Sequence, residues 1–136
     1  MQSDKDFVES FERGEIPNEG FHHISHIRMA WYYLRLYGIE DGSRRIIEGI
    51  RHFAAKHNLP HLYHQTITLF WIAAVNHCLQ QTAENISEFS QFIGCYPHLS
   101  DKNSIYRFYS RDHLMSDAAR QTWVLPDLRE FPAATV

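Results

Sequence analysis

Ten histidines stand in a chain of 136 residues. Six of them, His22, His23, His26, His57, His61 and His64, fall where apolar helical patterns begin or end. Neutral imidazole ligates transition metals and exchanges protons near neutral pH, so their placement matters more than their number. His23 and His26 lie one helical turn apart and share a face. A ring from His64, brought in on another helix, would complete the three nitrogens that a catalytic zinc uses while keeping one position open. Zinc, iron, nickel and copper all accept imidazole, and spacing does not choose among them. HxxH is a loose pattern, and no Asp or Glu sits inside it, although Glu15 and Glu19 precede it. Buried histidines hydrogen-bonded to the protein would account for the same residues equally well.

These rings meet only if the elements bring them together. Ser3 and Asp6 ahead of Phe7, Val8 and Phe11 predict a capped helix stopping at Gly14. A second helix runs from about His22 to Tyr37 and ends at Gly38, a residue suited to a left-handed cap. It is apolar nearly all round, the mark of a central helix. Asp41 to Ser43 caps a third, with Ile46, Ile47, Ile50 and Phe53 on one stripe. A fourth, from about Tyr63 to Gln81, is the second central helix. Shorter helices follow over Ile86 to Gly94, around Ile105 to Tyr109, and from Ser116 to Trp123. Pro126 and Pro132 bracket an extended tail. No strand-type alternation persists, so the pattern predicts a single-domain all-α bundle of five to seven helices with residues 124–136 as its tail.

Short loops make neighbouring helices antiparallel, so the second and fourth run parallel and begin at one end of the bundle, where the third finishes. That places His57, His61 and His64 beside His22, His23 and His26. Two helix N-termini at this end bring partial positive charge. The same field would favour an anionic small molecule, with histidine as acid or base. Thr68, one turn after His64, can hydrogen-bond there, though helical Thr usually bonds back to its own backbone. The aromatic run of Trp31, Tyr33, Phe70 and Trp71 reads as core, and Cys78 as a buried inert thiol.

Composition bounds the rest. Net charge is -3, and the thirteen Lys and Arg form no basic stripe, which argues against nucleic acid. The longest apolar stretch, Ile67 to Val75, falls far short of the roughly 20 residues of a membrane span. The polar N-terminus has no signal-peptide character, and the two cysteines lack a CxxC spacing, so a cytoplasmic protein with reduced thiols and no membrane partner is expected. In the last third, Arg111, Asp112, Asp117, Arg120, Asp127 and Arg129 read as a surface ion-pair network fastening the tail. The other reading of an arginine in this stretch is an anchor for an anionic ligand.

The segments His23-x-x-His26-Ile27-Arg28-Met29-Ala30, Tyr63-His64-Gln65-Thr66-Ile67-Thr68, Tyr109-Ser110-Arg111 through Arg120, and Pro126-Asp127-Leu128 occur together in order. The set resembles a family of small uncharacterised bacterial all-helical proteins with HxxHLRxA, YHETxT and YSxxxLxSxxAR…PDL motifs. The resemblance extends from Phe7 to Pro132. It implies His23, His26, His64 and Thr68 as site residues, with Arg111 and Asp127 beside them, and it implies no particular reaction. Where that family often has Glu after the second-motif histidine, this chain has Gln65, so a carboxylate base or ligand is absent there.

Two functions follow as expectations. One is a small cytoplasmic protein whose histidine-lined pocket, with or without a divalent transition metal, binds or converts a small molecule. The other is a non-catalytic helical interaction module whose exposed aromatics form a dimer or partner face and whose histidines form a structural hydrogen-bond network.

Overall fold

The computed structural model describes residues 2–131, and among them there are six α-helices, several 3-10 turns and no strand. Helix α1 (Asp4–Glu12) begins where the Ser3 hydroxyl accepts the Asp6 amide at 3.1 Å, and buries Phe7, Val8 and Phe11. The chain leaves it through Gly14, whose φ of 71° suits a residue without a side chain.

Helix α2 (His23–Lys56) is two arms, residues 23–37 and 39–56, that meet at Gly38 without an intervening loop. Gly38 has φ 80° and ψ -179°, a region essentially reserved for glycine. The expected helix end is therefore present, but the third helix starts at once and needs no cap. Asp41 instead pairs with Arg44 and Arg45 on the helix surface. The arms fold back closely: a methyl group on Gly42 would lie 2.9 Å from the Tyr33 carbonyl oxygen, and Arg45 sits over the Tyr37 ring at 3.9 Å. At the far end of the second arm Phe53 packs on Phe21, and Lys56 bonds the Gly14 carbonyl. The arms are thus antiparallel, as short connections require.

Helix α3 (Gln65–Gln80) packs along α2 and supplies Phe70, Trp71, Ile72, Ala74 and Val75 to the core. The core is shared with Ile27, Met29, Ala30, Trp31 and Leu34 of the first arm, so both helices expected to be central are central. Helix α4 (Phe89–Cys95) adds Phe89 and Phe92. The helix expected near Ile105 is a 3-10 segment, Lys102–Arg107, started by the Asp101 carboxylate accepting the Asn103 amide at 3.0 Å. Ser110 and Ser116 then cap two short helices, α5 (Arg111–Leu114) and α6 (Asp117–Gln121).

Hydrogen bonds and aromatic packing, rather than ion pairs, hold the segment after α6. Thr66 donates its hydroxyl to the Thr122 carbonyl at 2.7 Å and accepts the Val124 amide. Tyr109 donates to the Val124 carbonyl, the Leu128 amide reaches the Phe108 carbonyl at 2.9 Å, and Phe131 stacks on Phe70. The ion-pair network expected for this region is not formed among the described residues. Tail residues 132–136 lie outside those described. Cys78 is buried and Cys95 exposed, both as free thiols. No helix among the described residues is long and apolar enough to cross a membrane.

Candidate functional site

A cavity of about 540 Å³ opens where the first turns of α2 and α3 come side by side. His23, His26 and Ala30 enter it from the first arm of α2, and Ile46 and Ile50 from the second. Helix α3 contributes Ile67, Thr68, Trp71 and Ile72, with Tyr63 and His64 just before it. The far wall is the 3-10 segment, through Lys102, Asn103, Ile105 and Tyr106, together with Arg111 and Leu114 of α5. Five sequence-derived candidates, His23, His26, His64, Thr68 and Arg111, therefore face one space although up to 88 positions separate them.

Each ring is held differently. His23 donates from Nε2 to the Leu99 carbonyl at 2.9 Å, and its edge packs on Trp71 with centroids 4.6 Å apart. Burial outweighs that bond and lowers its pKa below the ordinary imidazole value, so the ring stays neutral. His26 donates from Nδ1 to the His22 carbonyl at 3.1 Å and packs on Phe21, and burial pushes its pKa down to about 4. These bonds assign the tautomers. They leave His23 Nδ1 and His26 Nε2 as acceptors with no partner among the described residues, and neither atom is sealed from solvent.

His64 is committed at both nitrogens. Nε2 donates to the Leu114 carbonyl at 2.7 Å, and Nδ1 accepts the Ile67 amide at 3.2 Å, making this side chain the N-cap of α3. Burial, followed by the charge of Arg120, lowers its pKa. A metal could take a lone pair from His64 only by breaking the cap. Among the described residues no three His, Cys, Asp or Glu side chains are gathered to hold an ion; of the expected set His23, His26 and His64, the first two each keep one free nitrogen and the third spends both on protein bonds.

Asp127 lies apart from the other candidates. It does not line the cavity but accepts the Ser110 amide at 2.8 Å and the Ser110 hydroxyl at 2.6 Å, bonds that lower its pKa and fix the start of α5. It positions Arg111 from behind. Thr68 sends its hydroxyl proton back to the His64 carbonyl at 2.8 Å, so it can only accept from a guest. Gln65 receives the Tyr63 hydroxyl at 2.5 Å. His22, His57 and His61 lie off the cavity, and His57 rests on Phe53.

Lys102, Asn103 and Tyr106 are the lining residues that sequence reading missed. Lys102 and Asn103 lie in the polar stretch between Leu99 and Ile105, which carries no periodic signal, and Tyr106 lies in the helix expected around Ile105 to Tyr109, where nothing marked it as a site residue.

No family model, curated protein or solved structure matches this chain. The functional reading therefore rests on the cavity and its chemistry.

Proposed function

We propose that this protein binds a small molecule in the cavity between α2 and α3, and presents His23 and His26 to it as neutral hydrogen-bonding or acid–base groups. One observation carries the reading: two imidazoles on adjacent turns, each with one nitrogen unpartnered among the described residues, line a cavity whose other walls are largely apolar. That combination of concave apolar surface with a few convergent polar groups is what ligand sites share. A base must also be unprotonated at working pH, and burial keeps both rings so.

A metal would have to be held by His23 Nδ1 and His26 Nε2 with further ligands from water or the guest. The rival reading, a homodimer module, is favoured by Leu36, Tyr37 and Ile39, which are 55%, 42% and 47% exposed around the Gly38 bend.

The test is a mixed small-molecule screen, with Zn²⁺ and Ni²⁺ as separate additions, read from the imidazole signals of His23, His26 and His64 and the indole signal of Trp71. A ligand should move His23, His26 and Trp71 together. A metal confined to the two free nitrogens would move His23 and His26 and leave His64 in place. If no compound or ion perturbs these groups while the mass doubles with concentration, the dimer reading replaces this one.

A further inference from the structure

We propose that the ligand is an amphipathic anion, with its apolar body between the arms of α2 and α3 and its carboxylate or phosphate held by Lys102 and Arg111. The inference rests on the cavity being a small-molecule site, as above, and adds the chemical class.

The charge of the lining carries it. The chain as a whole is formally -3, yet the cavity's described lining holds Lys102 and Arg111 and not one Asp or Glu. Neither cation makes an ion pair among the described residues. Asp101 and Asp112, next to the two cations in sequence, do not line the cavity, although Asp101 is near enough to act on His23. Cations on the wall of an apolar cavity whose lining holds no carboxylate raise the local concentration of anions. The histidines leave this balance unchanged, because burial favours their neutral imidazoles.

Backbone dipoles point the same way. The first turns of α2 and α3 both border the cavity, through His23 and His26 and through Ile67 and Thr68, so two partially positive helix ends face it. Arg111 is also preorganised. Its guanidinium lies over the Tyr106 ring at 4.6 Å, and its helix is anchored by the Ser110–Asp127 bonds, so a flat two-pronged donor is offered from a fixed base. That fork matches carboxylate and phosphate oxygens.

The opposite side of the space asks for an apolar body. Ala30, Ile46, Ile50, Ile67, Trp71 and Ile72 offer no charge, and the cavity's size falls within the range of sites for drug-sized ligands. A bare inorganic anion would leave these walls against water. A cation would meet two like charges, and a neutral molecule would leave them unused.

Four probes with one alkyl body test this: octanoate, mono-octyl phosphate, octanol and octylamine, each below its micellar concentration, titrated calorimetrically and against the Trp71 indole signal. At least one anion should bind about tenfold or more tighter than octanol, a difference of about 1.4 kcal/mol. Octylamine should be weakest. Preference between the two anions separates a carboxylate ligand from a phosphate one. Arg111→Ala and Lys102→Ala change exposed side chains, and should each weaken the anion while leaving octanol unaffected; Arg111→Lys should restore only part of the loss. Octanol or octylamine binding as tightly as either anion, with the Trp71 shift, would overturn the anion assignment and keep the pocket. If none of the four binds, the assignment falls. The pocket then stands only if the broader screen finds another ligand.

Discussion

His64 donates from Nε2 to the carbonyl of Leu114 at 2.7 Å, joining the start of α3 to the end of α5 across 50 positions of sequence. The other nitrogen of the ring caps α3 through the Ile67 amide. One side chain thereby sets the position of two cavity walls. His64→Ala should cost about 2–4 kcal/mol, the sum of a lost N-cap and an unsatisfied carbonyl. His64→Asn, which keeps a capping oxygen, should recover about 1 kcal/mol of that. Urea unfolding of the two variants checks it, and equal losses would remove the capping role.

Stability should depend on pH through the three cavity histidines. Burial lowers the folded-state pKa of His23, His26 and His64, that of His26 to about 4, while the unfolded chain titrates near 6.5. Between those values the unfolded state binds more protons, so it gains as pH falls. The stability contributed by these rings is fully present above pH 6.5 and is lost as pH drops toward 4. Unfolding midpoints measured from pH 8 to pH 4 should stay level and then decline, and His26→Gln should make the decline shallower. A midpoint that rises on acidification would contradict the burial of these rings.

Gly38 should tolerate no other residue. Its φ of 80° with extended ψ is open to glycine alone, while a methyl group there would touch nothing within 4 Å. Gly38→Ala should therefore cost about 1–3 kcal/mol through backbone strain without any clash. Gly42→Ala should also destabilise, for the different reason that its methyl group meets the Tyr33 carbonyl at 2.9 Å. Thermal unfolding of both variants, with circular dichroism to confirm helix content, measures the effect. An unchanged Gly38→Ala protein would mean the arms do not turn at this residue.

Trp31 is fully buried, yet its indole N–H has no partner among the described residues. Trp31→Ala should cost about 3–5 kcal/mol as a large core deletion. Trp31→Phe removes volume but no hydrogen bond, and should recover most of that loss. Chemical denaturation distinguishes the cases; a Phe variant as unstable as the Ala variant would show that the N–H is engaged.

How far sequence alone reaches is visible at particular residues. Ser3 and Ser116 cap helices where their types and neighbours say they should, and the all-round apolar stretches about Ala30 and Ala74 are buried at the centre, because capping and periodicity are local properties of the chain. Gly38 was readable as an end, for the same local reason. The convergence of His23, His26, His64 and Thr68 followed from helix directions, which short connections constrain, whereas nothing in those directions placed Arg111 with them. What each ring does there was not readable. His64 looks like His23 in sequence, but a carbonyl supplied by Leu114 takes one of its nitrogens and leaves it no free lone pair. Asp127 looks like a ligand contact and is instead bound to Ser110. Lys102 and Tyr106 carry no sign of a site role until the 3-10 segment lays them against α2 and α3. Residue type and spacing determine which groups can ligate, donate or carry charge. Their availability is decided by which distant backbone atoms fold against them, because a hydrogen bond is made to whatever polar atom tertiary packing brings within about 3 Å.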